Sequence, residues 1–294
     1  MASRTRPKNL SRWLRNQLIR FLGLSLRRLW QDFRRAHRLA RGQSVPLPTR
    51  TASGVTSGKR RVVVSLSTIP ERMNALTPTL LSLVEQTVQP DRILLALPRV
   101  SIRSGRPYPD PPSLPDGIEV LACTDTGPST KLLHALLAEP DALVIAVDDD
   151  VIYARDFIET LLAAHMSYPD AALGWIGWNI EPGVNPKNVR QVWGTTLGAP
   201  VEVDILLGHG GLAIPPGALD AQVHDYSGWP EELRWVDDVW FAGHLARRGV
   251  RRLVVPSRGY SVVRRLSGHF GLTFSVNRDG RNDHVGIAAM SAWW

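Results

Sequence analysis

"RVVVSLSTIPERMNALTPTLLSLVEQTVQPDRILLALP", residues 61–98, decides the fold. It opens with a short apolar run, 61–67, of the length and β-branched content of a buried strand. Residues 73–87 follow with Leu76, Leu80, Leu83 and Val84 on one face of a helical repeat. A second apolar run, 92–98, closes the unit. Strand, helix, strand in this order predicts two parallel strands joined by a crossover helix.

The pattern repeats downstream. Residues 118–123 and 142–147 read as further strands, and 129–139 and 154–168 as helices, the first opened by a Ser or Thr cap. Continuous apolar strands indicate burial on both sides. The expected fold is α/β, a mostly parallel sheet with helices on both faces. Ligands of such sheets sit beyond the carboxyl ends of the strands.

Two acidic sites stand out. "ALVIAVDDDVIYARDF", 142–157, drives an apolar strand directly into Asp148, Asp149 and Asp150. Three adjacent carboxylates repel one another and call for positive charge. In an extended segment Asp148 and Asp150 project to one side and Asp149 to the other. Hard oxygen donors of this kind suit Mn²⁺ or Mg²⁺; the plain alternatives are a turn with solvated acids or a cap for the following helix. The second site, Asp237 and Asp238, opens an apolar-faced helix that ends in Arg247, Arg248 and Gly249. Capping explains one acid there; a general base for a hydroxyl explains the other.

Composition divides the chain. Residues 1–50 carry 13 of the 35 Lys/Arg and, in Asp32, one of the 27 acids, leaving 22 bases against 26 acids in the rest. The net charge of +8 therefore belongs to a basic arm on a mildly acidic body. That arm interleaves Trp13, Phe21, Leu22, Trp30 and Phe33 with arginines and reads as an amphipathic helix over 1–41. Its longest uncharged run, "FLGLSL", is too short to span a bilayer. It suits an anionic membrane surface; docking on a partner, a nucleic-acid arm and a targeting peptide are the alternatives. Residues 42–60, rich in Gly, Ser, Thr and Pro, read as a linker, and the folded domain as 61–290. The single cysteine, Cys123, excludes an internal disulfide and a cysteine-based zinc site.

Four segments in order, "VVVSLSTIPERMNALTPTLLSLVEQTVQPDRILLAL", "DTGPSTKLLHAL", "VIAVDDDVIY" and "VDDVWFAGHLARRG", resemble nucleotide-sugar-dependent glycosyltransferases of the GT-A fold, close to the family 2 group and bacterial polysaccharide transferases. The likeness covers about residues 60–260. It implies a GT-A domain, a UDP-sugar or similar donor, and a saccharide or lipid-linked acceptor. Thr68, Pro70, Arg72, Lys131, Asp148 and Asp149 would contact the nucleotide sugar. Asp148 and Asp150 would hold the metal, with a late histidine, His284 or His269, completing it. Asp238, with Asp237 second, would take the acceptor proton in an inverting reaction. A surface salt bridge is the plain reading of Lys131. Asp237 stands where the family has Glu, and His244 where Arg is common.

"GHGGLAIPPG", with Gly208, Gly210 and Gly211, looks like the loop that shapes the acceptor side. Among Trp175, Trp178, Trp193, Trp229, Trp235 and Trp240, one or two are expected to face a ligand. The implied location is cytoplasmic, peripheral at the inner membrane face. A catalytically inactive adaptor and a sugar nucleotidyltransferase are the competing readings; the latter lacks its glycine-rich loop in "STIPERM". No nucleic-acid module is recognisable, and no nucleic-acid partner is expected.

Overall fold

The structure is a computed structural model that describes residues 26–45, 50–55, 60–111, 113–180, 190–257, 262–263, 277 and 280–294. The expectations for Trp13, Phe21, Leu22 and His269 lie outside the described residues.

An eight-stranded sheet forms the centre. Its strands are β1 (Val62–Ser67), β2 (Arg92–Pro98), β3 (Ile118–Cys123), β4 (Leu143–Val147), β5 (Ala172–Gly174), β8 (Val201–Glu202), β10 (Leu212–Ile214) and β11 (Arg252–Val254). The order across it is β8-β11-β5-β10-β4-β1-β2-β3. β3, β2, β1 and β4 are parallel neighbours, β5 pairs parallel with β11, and β10 and β8 run against their partners. A smaller antiparallel sheet joins β6 (Ile176–Asn179) to β7 (Arg190–Trp193) and β9 (Ile205–Leu206).

Successive residues of β1 and β4 are buried, so both faces of the sheet are covered there. Helix α3 (Thr130–Ala138) lies against β1, β2 and β4, and α4 (Phe157–Ser167) against β5. The expected α/β fold with a mostly parallel, helix-flanked sheet is what forms. β3, at the edge, is only half covered.

One predicted helix is divided. Residues 73–87 become a 3₁₀ turn, Pro70–Ala75, and helix α2, Thr77–Val84. Pro78 has no N–H to give the preceding turn, so it is accommodated only where a helix begins.

The basic arm is not a free appendage where it is described. Helix α1 (Leu26–Ala40) packs on α2, and Ala36 and Leu39 share a buried cluster with Leu81 and Ile152. Glu85 is the anchor. Its carboxylate, almost wholly buried, meets Arg35 at 3.1 Å, Arg38 at 2.7 Å and Arg155 at 3.6 Å, and accepts the Val45 N–H. Arg35 also donates to the carbonyls of Tyr153 (2.6 Å) and Ser82 (3.2 Å). Burial opposes both charges. On Glu85 the bonds from Arg38, Val45 and Arg35 outweigh it and hold the acid below its usual range, while desolvation leaves Arg35 lowered. The expected linker is partly docked as well: Arg50–Thr51 pairs with Val88–Gln89, and Ala52 is fully buried.

An acidic cavity at the carboxyl rim

The strand ends converge on a cavity of about 380 Å³. Ser67 ends β1 and Thr68 and Ile69 follow it, Ser101 and Arg103 follow β2, Asp125 and Gly127 follow β3, and Asp148 to Asp150 follow β4. β10 runs the opposite way, so the loop before it, carrying Leu207 and His209, reaches the same rim. Trp178 of β6 and Gln191 of β7 form a side wall, joined by Trp235 to Asp238, Asn277 and Asp283.

The acidic triplet does not follow strand alternation. β4 ends at Val147 and the chain turns at Asp149 and Asp150, which separates the carboxylates. Asp149 does not point away. It accepts from Thr68 Oγ1 at 2.5 Å, and one nitrogen of Arg72, Nη1, sits 2.9 Å from both Asp149 and Asp150. Asp148 faces the other way, toward Lys131 Nζ at 2.6 Å. Its backbone N–H donates to the Tyr153 hydroxyl at 2.8 Å, and Thr79 Oγ1 donates to the Asp149 carbonyl at 2.8 Å. The turn is therefore fixed on both sides of its carboxylates.

Lys131 is the pivot. Its side chain is buried rather than on the surface, and its ammonium lies 2.9 Å from Asp237 Oδ2 as well as on Asp148. The two acidic sites read separately in the sequence are bridged by one cation. Asp238 takes a different partner, accepting the Gly208 N–H at 2.8 Å. Neither carboxylate caps helix α5 (Asp237–Arg247), whose preceding residue, Val236, makes no side-chain cap. Both acids nevertheless stand in the first turn of α5, where carboxylates suit the helix N-terminus.

Charge states follow from these contacts. Burial opposes the charge on Lys131, but Asp148, Asp237 and Asp238 outweigh it and raise the ammonium well above its usual pKa. Burial would lift Asp148; Lys131 holds it low instead. Asp149 is pushed up to about 6 by burial despite Arg72, with Asp150 adding to the rise. Burial and neighbouring Asp237 raise Asp238 well above the carboxylate range.

Of the expected site residues, Thr68, Arg72, Lys131, Asp148, Asp149, Asp150, Asp237 and Asp238 line the cavity. Pro70 does not; it opens the 3₁₀ turn that carries Arg72 inward. His284 does not either. On helix α6 (Arg281–Ala289) the inward position is its neighbour Asp283, which accepts from Asn277 Nδ2 at 3.1 Å, and one helical step carries the next side chain away. Arg103, Tyr108, Asp125, Gln191 and Asp283 carry no signal in the sequence: the first four are isolated loop or short-strand residues, and Asp283 is a single acid on a short helix. Asp125 falls within "DTGPST" and His209 within "GHGG". Two of the six tryptophans, Trp178 and Trp235, face the cavity; Trp175, Trp193 and Trp240 are core, and Trp229 packs edge-on against Trp240 and Trp293.

The hard carboxylate oxygens suit Mn²⁺ or Mg²⁺ by donor chemistry. Among the described lining residues Asp125, Asp148, Asp149, Asp150, Asp237, Asp238 and Asp283 outnumber Arg72, Arg103 and Lys131, so the cavity has room in its charge balance for a further cation. The expected trio of Asp148, Asp150 and His284 is not assembled, however. Among the described residues no three His, Cys, Asp or Glu side chains are grouped to hold an ion. Lys131 and Arg72 occupy the carboxylates instead.

Gly208 is required at the centre of this arrangement. A Cβ there would stand 2.7 Å from Lys131 Nζ, 3.1 Å from Asp238 Oδ1 and 3.3 Å from Asp148 Oδ1. Gly208→Ala should cost about 1–3 kcal/mol of stability through overpacking and break the bridge between the acidic sites. Urea unfolding of the variant beside the wild type checks this; equal midpoints would show that the cluster yields freely.

No protein-family model matches the chain, and no curated protein matches it. Among solved structures, a UTP-bound UGPase from Acinetobacter baumannii aligns over 76% of this chain and 97% of its own, at 11% identity and a TM-score of 0.41. A likeness at that level carries no argument about this cavity. What the geometry establishes is an α/β protein with two acidic groups, bridged by one lysine, at the carboxyl rim of its sheet.

Proposed function

We propose that the chain is a GT-A-type glycosyltransferase that moves a sugar from a nucleotide sugar, a UDP-sugar first among candidates, to a hydroxyl of a saccharide or lipid-linked acceptor. One observation supports this above the rest: Asp148 and Asp237 meet the same ammonium in one cavity, with Asp238 beside them. Donor-side and acceptor-side carboxylates must share a cavity for transfer in a single displacement.

In this reading Thr68, Arg72 and Lys131 lie on the nucleotide-sugar side with Asp148 and Asp149. Arg72 is suited to an anion, since its Nε–H is buried without a hydrogen-bond partner. Asp148 and Asp150 would hold Mn²⁺ or Mg²⁺ only once released from Lys131 and Arg72, and the ion would supply charge neutralisation on the diphosphate. Asp238 accepts the proton of the acceptor hydroxyl. The acceptor oxygen bonds to the anomeric carbon, the bond from that carbon to the phosphate oxygen breaks, and the nucleoside diphosphate leaves with that electron pair. Configuration at the anomeric carbon inverts. Burial and Asp237 raise Asp238, which strengthens it as a proton acceptor once ionised.

A screen of UDP- and GDP-sugars for nucleoside diphosphate release tests the reading. Asp238→Asn should slow release by roughly 100-fold, within the usual range for losing a general base, and leave nucleotide binding intact. No release from any donor by the wild type, or equal rates in the variant, would contradict it.

A further inference from the structure

Helix α1 presents two different faces. On the inner face Arg28 pairs with Asp156 at 2.5 Å, Arg35 and Arg38 hold Glu85, and Ala36 and Leu39 are buried. Arg27, Trp30, Arg34, His37 and Arg41 follow one another at three- and four-residue steps along the opposite side, and all are exposed. Phe33 flanks this stripe. Trp30 is 59% exposed and Phe33 49%. The Arg34 guanidinium lies over the Trp30 ring at 4.5 Å. None of the exposed residues of α1 is an acid.

A water-facing surface has no use for an indole and a phenyl ring set among cations, because their exposure forfeits burial. An anionic bilayer satisfies both components. Trp and Phe enter the headgroup and acyl boundary, and arginines meet lipid phosphates. The stripe is a convex ridge on a helix, which suits a flat surface better than the groove that binds a nucleic-acid strand. In the sequence the same interleaving of Arg with Trp, Phe and Leu runs back through residues 11–25. Among the described residues no helix is long and apolar enough to cross a membrane.

We propose that the outer face of docked helix α1, through Trp30, Phe33, Arg27 and Arg34, seats the protein on an anionic bilayer surface. The helix binds the body with one face and lipid with the other, so the body is held at the membrane rigidly rather than on a tether. None of these residues lines the cavity, and the proposal stands or falls independently of the transferase reading.

The full chain is sedimented with phosphatidylcholine vesicles with and without phosphatidylglycerol. Wild type should bind only the anionic vesicles. Trp30→Ala/Phe33→Ala should lower the binding constant about tenfold or more, and Arg27→Glu/Arg34→Glu by at least as much. Met166→Ala, which removes an exposed apolar side chain elsewhere (57% exposed), should change nothing. The mutated side chains are exposed, so urea midpoints and UDP titrations should match wild type. Unchanged vesicle binding in both double variants overturns the proposal. So does binding to a single-stranded oligonucleotide that the same substitutions abolish while vesicle binding persists, which would assign the face to nucleic acid.

Discussion

Lys131→Met should destabilise the protein by about 3–5 kcal/mol, the usual cost of removing one partner from a buried ion pair. Methionine keeps most of the volume of the lysine stem, so the loss reports charge. Asp148 would lose its cation at 2.6 Å and Asp237 its cation at 2.9 Å, with Asp238 nearby and all three beside the cavity. The pH dependence separates this from a packing defect. Lys131 has a raised pKa, so its contribution is complete below the unfolded value of 10.5 and is lost as pH rises through the folded one. Asp148 has a lowered pKa, so its contribution is complete above 3.8 and is lost as pH falls through its folded value. The deficit of the variant is therefore greatest across neutral pH and closes in acid. Urea unfolding from neutral to acid pH measures it. A deficit that does not vary with pH would show that Lys131 acts through packing.

Truncation of residues 1–45 should destabilise the folded body, by about 3 kcal/mol or more. The charge pattern alone reads as a basic arm on an acidic body; the contacts of α1 tie that arm to the body. Among the described residues Glu85 without α1 keeps only Arg155, at 3.6 Å, and Leu81 and Ile152 lose Ala36 and Leu39. Arg35 also leaves the carbonyl of Tyr153, whose hydroxyl accepts from the N–H of Asp148. The arm is thus joined to the acidic turn through one residue. Glu85→Gln in the full chain should reproduce much of the loss, since it leaves Arg35 buried without its counter-ion. Glu85 has a lowered pKa, so this stabilisation is complete above 4.5 and is lost as pH falls through the folded value. Thermal unfolding of the truncated chain and of Glu85→Gln measures both; melting at the wild-type temperature in each would show that α1 adds nothing to the body.

These expectations mark where the sequence stopped being informative. β1, β2 and β4 were readable to within a residue, because an apolar run bounded by polar residues states its own length. The division between the 3₁₀ turn and α2 is also written in the sequence, in Pro78, although the apolar spacing continues across it. The acids at 148–150 and 237–238 were visible as charge at the ends of apolar elements. Their mutual arrangement was not. It depends on a turn after Val147 and on Lys131, whose position on a short helix says nothing about which carboxylates it will meet. Docking of α1 was hidden for the same reason: Glu85 looks like an ordinary acid after a helix until the fold brings Arg35 and Arg38 to it.

Calorimetric titration of UDP, then GDP, into the full chain, with and without Mn²⁺ and beside Asp148→Ala/Asp150→Ala, bears most directly on the cavity. Binding of a nucleoside diphosphate that requires Mn²⁺ and disappears in the double variant is the expected outcome. A folded wild-type protein that binds neither nucleotide, or binding that survives loss of both carboxylates, would remove the nucleotide-sugar site from this cavity.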